Sequence, residues 1–233
     1  MANNIIGDAF AYAKEGLLGN FTKWIMVIVL ALIQGITLCI IPVLNGYIVR
    51  IYSGEKTLPE VNHWGKLFVD GWKYNIIAIL YMIPAIIVAV VLGFFTILSF
   101  SEMTTIISDG NTAGVIELVT GIITVLFILL IVLMILSLFL MMGLVRFGKT
   151  SRIGEAFSFG AINKQISGGV GWLGYIGYVI LLWILGLIVM LIIAAINILL
   201  LPLGILVMLL ILPAWSVFAA KYMTNIYDAG ESA

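Results

Sequence analysis

Charge is what this sequence has least of. Of its 233 residues 9% are Asp, Glu, Lys or Arg, against about 25% in soluble domains. Hydrophobic residues make up 64%, and the mean hydropathy is +1.26. Too few polar side chains are present to cover a water-facing surface, so a soluble domain is excluded and an integral membrane protein is expected. Eleven Lys+Arg balance eleven Asp+Glu. No basic field points to nucleic acid, which is not an expected partner. The single cysteine, Cys39, excludes an intramolecular disulfide and a thiolate metal cage. Within its apolar run it reads as an inert, buried thiol. The single histidine, His63, sits beside Trp64 and reads as solvated rather than as a base or ligand. No His/Cys/Asp/Glu cluster has metal-ligand spacing, so neither metal nor cofactor is expected.

What is abundant is uninterrupted apolar sequence. Residues 74–101, 118–145 and 166–220 carry no charge. A spanning helix takes about 20 residues. The first two runs therefore predict one span each, at 74–98 and 115–145. The third predicts two, at 171–196 and 198–220, with a tight turn near Asn197, Pro202 and Gly204. Continuous rather than alternating hydrophobicity favours helices over a barrel, and open strands cannot face lipid with unpaired backbone. Pro84, Pro202 and Pro213 are expected to kink spans. Residues 24–52 leave two readings open. Their apolar part is long enough for one tilted span of about 39 Å. Gln34-Gly35 and Pro42 interrupt it, however, as in a short re-entrant hairpin with Gln34 and Gly35 at its tip. As a hairpin it puts all eleven cations on one side, with Glu102, Asp109 and Glu117 opposite. As a single span it moves Lys14 and Lys23 across. The positive-inside rule favours the hairpin, with both termini in the cytoplasm of a cell (plasma) membrane protein.

Amphipathic segments complete the pattern. Ile6, Ala9, Phe10, Ala13 and Leu17 recur at helical spacing, so residues 5–20 predict a helix lying in the membrane plane. Residues 58–72 predict a second, since Pro59 and Glu60 suit a first turn; residues 152–167 predict a third. Phe10, Tyr12, Trp64, Phe68, Trp72, Phe157 and Phe159 are the expected interfacial aromatics. Ile6-Gly7-Asp8-Ala9-Phe10-Ala11-Tyr12 also echoes Ile153-Gly154-Glu155-Ala156-Phe157-Ser158-Phe159. Tyr47-Ile48-Val49-Arg50-Ile51-Tyr52 echoes Tyr222-Met223-Thr224-Asn225-Ile226-Tyr227 more weakly. As an internal repeat, each half would hold an interfacial helix, a helical hairpin and a Tyr-x-x-x-Ile-Tyr exit. The expected fold class is all-α: a polytopic transmembrane helix bundle, residues 1–233 as one membrane domain, with interfacial amphipathic helices and a short re-entrant hairpin near the N-terminus.

Chemistry is sparse. Gly169-Val170-Gly171-Trp172-Leu173-Gly174 spells G-x-G-x-x-G, but a dinucleotide site needs a preceding strand and an acid about 20 residues on. Here the next acid is Asp228. Gly168, Gly171, Gly174 and Gly177 read instead as a small-residue stripe for close helix packing. Coupled carriers usually hold ionisable groups inside their spans, and none sits well inside these. Asp8, Asp70 and Glu155 are the only acids that an enzyme working on the cytoplasmic face would have to use. The expectation is a non-catalytic scaffold that organises membrane lipid or partner proteins, as a homo-oligomer or with another membrane protein. The alternative is a channel or passive transporter for a small or apolar solute, with Gln34 and Gly35 in its path.

Three stretches carry a family resemblance: Gly7-Asp8-Ala9-Phe10-Ala11-Tyr12, Gly46-Tyr47-Ile48-Val49-Arg50-Ile51-Tyr52, and Leu58-Pro59-Glu60 through Trp64, Phe68 and Asp70-Gly71. Together they resemble an uncharacterised, largely archaeal family of multi-spanning membrane proteins, domain of unknown function 4013, over most of the chain. The resemblance implies a membrane location, a topology and an archaeal source, and no reaction. In architecture alone the chain is also distantly similar to the membrane domains attached to some glycerophosphodiester phosphodiesterases. No part of these 233 residues resembles their soluble barrel, so that activity is not carried over.

Overall fold

The computed structural model describes residues 4–108 and 112–230, and of residues 95–108, 118 and 201–203 the backbone alone. Asp109 therefore lies outside the described residues, and Glu102 outside the described side chains. The described chain is mostly helical, with eight α-helices: α1 Ile5–Leu17, α2 Phe21–Ile36, α3 Val43–Tyr52, α4 Trp64–Ser108, α5 Thr112–Thr150, α6 Phe159–Gly168, α7 Gly171–Leu199 and α8 Leu201–Ala229. No strand forms among the described residues. Four helical stretches are long and apolar enough to cross a membrane: Trp64–Phe94, Thr112–Thr150, Gly171–Leu199 and Gly204–Ala229. The chain divides into two compact units, residues 1–77 with 139–233, and residues 78–138. The second unit consists of parts of α4 and α5 and presents large apolar side chains outward, such as Ile87, Val90, Ile123 and Phe127. Everything below concerns the first unit.

The helices begin where local chemistry dictates. Asn4 caps α1 by accepting from the Gly7 N–H at 3.0 Å, and Asn20 caps α2 by accepting from the Lys23 N–H at 3.2 Å. Each satisfies one of the donors that a helix start leaves open. Asp8 in the first turn of α1 and Lys14 in its last match the helix dipole. Leu18, Gly19 and Asn20 separate α1 from α2, and the two axes bend by 98°. α1 packs on α8 and α2, with Ile5, Ala9, Tyr12, Ala13 and Leu17 buried, while Ile6, Phe10 and the following Leu18 stay exposed. The expected apolar face is thus divided, because α8 takes one edge of it and leaves the other outward.

Residues 24–52 fold back on themselves. α2 has 16 residues, about 24 Å at 1.5 Å each, short of a hydrocarbon core of about 30 Å. The Thr37 hydroxyl donates to the Ile33 carbonyl at 2.7 Å and accepts from the Ile41 N–H at 3.2 Å. Leu38 and Cys39 take left-handed backbone, φ 49° and 63°, and α3 returns after Pro42. The far ends of the pair meet at one residue: Lys23 on α2 pairs with the Glu60 carboxylate at 2.8 Å, and Arg50 on α3 donates to the Glu60 carbonyl at 2.7 Å. Two ends that share a partner fit the hairpin better than the single span. The tip differs from expectation. The turn is residues 37–42, with Ile36, Leu38 and Ile40 exposed and Gln34-Gly35 one turn back in α2. Cys39, expected to be buried, is exposed there, because a left-handed turn residue has no helix neighbour to cover it.

Other boundaries also move. No separate helix forms at 58–72. Residues 53–63 are a loop, and α4 runs unbroken from Trp64 through the expected boundary near residue 73. Residues 152–167 do not form one helix either: Ile153–Phe157 is a short 3-10 helix, and α6 begins only at Phe159. The expected equivalence with α1 therefore fails locally, since Glu155 is drawn to Arg146. Pro84 and Pro213 sit inside α4 and α8, whereas Pro202 stands in the first turn of α8, where its missing N–H costs nothing. α7 and α8 break at Leu200, whose N–H donates to the Ile196 carbonyl at 2.8 Å.

Candidate functional site

Polar chemistry in this unit is gathered in two places. The first is a layer that joins the loop 53–63, the segment after α5, the start of α1 and the end of α8. Tyr47 is fully buried, and its hydroxyl donates to the Pro59 carbonyl at 2.8 Å. Arg50 donates to the Glu60 carbonyl and to the side chain and carbonyl of Asn62. Arg146 reaches one Glu155 carboxylate oxygen through Nε at 3.0 Å and Nη2 at 2.6 Å, and donates to the Tyr227 hydroxyl at 3.2 Å. Lys149 pairs with Asp228 at 2.6 Å. Lys221 lies 4.9 Å from the centre of the Tyr12 ring, and the Tyr12 hydroxyl donates to the Thr57 carbonyl at 3.2 Å. The Asn225 amide donates to the Ile5 carbonyl at 3.2 Å, so the first helix begins where the last one ends.

These contacts give the family-like motif a physical reason. A side chain at Gly46 would collide with the Leu67 carbonyl, and one at Gly71 with the Pro42 carbonyl. Two glycines, one buried tyrosine and one arginine therefore clamp α3 and the head of α4 around the loop. Beside the clamp is a polar cavity of about 400 Å³, lined by Arg50, Glu55, His63, Lys66, Asp70 and Ser151 among others. Its charges are mixed in sign. Arg50 is committed to the loop, and Asp70 is paired with Lys73 at 3.2 Å. His63 is exposed, with Nδ1 2.9 Å from the Asn62 side-chain oxygen. Among the described residues no group of three or more His, Cys, Asp or Glu could hold a metal ion.

The second place lies within the hairpin. The Gln34 amide donates to the Asn45 side-chain oxygen at 3.0 Å, and its own oxygen accepts from the Asn45 N–H at 3.0 Å. The Asn45 amide donates to the Asn75 oxygen at 2.7 Å. Three uncharged polar side chains thus satisfy one another across α2, α3 and α4. Gln34 and Asn45 stand out in the sequence as polar interruptions. Asn75 does not, because it looks like the ordinary polar margin of a span. Gly35, expected at the tip with Gln34, has open space beside it.

The glycine stripe is divided. Gly168 ends α6, while Gly171 opens α7 with φ 71°. A side chain at Gly168, Gly171 or Gly177 would meet nothing within 4 Å, and at Gly174 only Val170 of the preceding turn. Close approach occurs one position away, where Gly169 lies against Gly230. Of the expected interfacial aromatics, Trp64, Phe68 and Trp72 share one exposed stripe of α4, and Phe10 and Phe159 are exposed. Tyr12 is buried and Phe157 half-buried. Phe159 meets Phe139 edge to face at 5.5 Å.

One further feature has no signature in the sequence. An apolar groove of about 550 Å³ runs between α1, the head of α2, α7 and α8. Phe10, Leu18 and Trp24 line one side, with Ile188, Ala214 and Trp215 on the other, and Lys14 is its single charged lining residue. The Trp24 indole N–H donates to the Leu210 carbonyl at 3.3 Å, fixing the head of α2 to α8. Residues from three separated stretches build this groove, so no local spacing could reveal it.

Comparison with curated proteins gives no match, and neither does comparison with solved structures. A family model described as "Protein of unknown function (DUF4013)" matches residues 29–198. The match takes in the clamp and the polar network of the hairpin. The chain belongs to this family of proteins of unknown function.

Proposed function

We propose that this protein is a non-catalytic scaffold of the cell membrane, multi-pass with both termini in the cytoplasm. It organises lipid around itself and assembles with other membrane proteins or with its own copies. One observation carries this reading: two of the three acids that an enzyme on this face would use, Asp70 and Glu155, and the amide that a solute path would use are spent on holding the fold. Glu155 is held by Arg146, Asp228 by Lys149 and Asp70 by Lys73, and the amide of Gln34 is turned onto Asn45. A general base needs an accessible lone pair within reach of its substrate, and these carboxylates already engage cations. Mass measurement of the protein released from native nanodiscs is expected to show retained lipid or a discrete assembly. A clean, lipid-free monomer would overturn the proposal.

The same observation weighs against a passive channel. An amide whose nitrogen and oxygen are both engaged by its neighbour has only one N–H and one lone pair left for a passing solute. In proteoliposomes the protein is expected to carry no solute flux above empty liposomes. Flux carried by the wild type and lost in Gln34→Leu would establish the channel reading instead.

A further inference from the structure

We propose that the groove between α1, α7 and α8 holds one hydrocarbon chain of an anionic lipid, with the lipid phosphate paired to Lys14. The inference rests on the scaffold reading above and names its ligand. Three observations carry it. The groove's volume, about 550 Å³, lies within the range of about 300–1,000 Å³ typical of ligand sites. Apart from the Lys14 head its walls are apolar, with Phe10 of α1 and Leu18 just after it both exposed in its lining. Such a surface suits a chain of methylenes and offers nothing to a polar solute. Lys14 is exposed, and no ion pair or hydrogen bond of its side chain appears among the described contacts. Lys23 and Lys221 are by contrast occupied, the first by Glu60 and the second over the Tyr12 ring. A lysine stem can run along apolar surface while its ammonium reaches the headgroup level, where it would meet the phosphate above a buried chain.

The experiment places full-length protein in nanodiscs of phosphatidylcholine and phosphatidylglycerol in equal parts and weighs the complexes after release. Wild type is expected to retain one lipid, with phosphatidylglycerol preferred about fivefold, the effect of one lysine near an anionic headgroup. Lys14→Gln, at an exposed position, is expected to keep a lipid but lose the preference. Ile188→Trp and Ala214→Trp, which fill the groove, are expected to lose the lipid, with circular dichroism confirming the fold. Retention and preference unchanged in Lys14→Gln and Ile188→Trp would overturn the assigned site while leaving the scaffold reading intact. A wild type that retains neither lipid nor a second copy would overturn both.

Discussion

A methyl group is enough to test the clamp. At Gly46 and Gly71 it would meet a backbone carbonyl, of Leu67 and of Pro42 respectively, and a backbone oxygen cannot swing aside as a side chain does. Gly46→Ala and Gly71→Ala are each expected to cost about 1–3 kcal/mol, seen as a lower Tm in detergent. Gly177→Ala faces open space. There the gain in backbone stiffness is expected to stabilise by about 0.5–1 kcal/mol. A loss at Gly177 as large as that at Gly46 would mean that a helix of a second copy fills the space. Spacing made the stripe from Gly168 to Gly177 legible, yet among the described residues only Val170 of the preceding turn lies against it, at Gly174. Gly46 and Gly71 stand 25 positions apart by their numbers and share no periodicity, so only the fold shows that they do the same work.

For single elements the hairpin is decisive. Asn45 stands between Gln34 and Asn75, so Asn45→Leu strands both partners. Side-chain hydrogen bonds between membrane helices are worth about 0.6–2 kcal/mol each. The expected cost is about 1–3 kcal/mol, measured by unfolding in mixed micelles. Gln34→Leu combined with Asn45→Leu is expected to cost less than the sum of the two alone, because the partners are removed together. Gln34-Gly35 and Pro42, the interruptions that suggested a hairpin, are legible in sequence; the pairing of Gln34 with Asn45 is not. Likewise, Pro59 and Glu60 carry the signature of a helix start. They instead form the loop gripped by Tyr47, Arg50 and Lys23. Long-range contacts outweigh a weak local preference there, as they do where Glu155 leaves the helical pattern of its echo to meet Arg146.

Across the molecule the charged layer acts as one connected fastening. Arg146 contacts both Glu155 and Tyr227. Arg146→Lys keeps the charge but loses the second N–H and the reach to the phenol. With both partners about a quarter exposed, the expected loss is about 1 kcal/mol, read as a lower Tm. Because Asn225 holds the Ile5 carbonyl and Glu60 ties both ends of the hairpin, epitope tags at the two chain ends are expected to label together. Both should be reached only after the cells are permeabilised. Labelling of one tag alone on intact cells would remove the hairpin topology.

The sequence by itself determined that this chain has four helices long and apolar enough to cross a membrane, and where they run. Both follow from sums over consecutive residues: apolar surface removed from water, and charges absent from stretches longer than a bilayer core. The tertiary structure alone decided that α2 and α3 fold back on each other with both far ends at Glu60, that α4 absorbs the expected surface helix, and that three distant stretches enclose one groove. Each of those outcomes depends on which groups meet in space. Hydrogen bonds and packing between remote residues fix such meetings, and no local pattern records them.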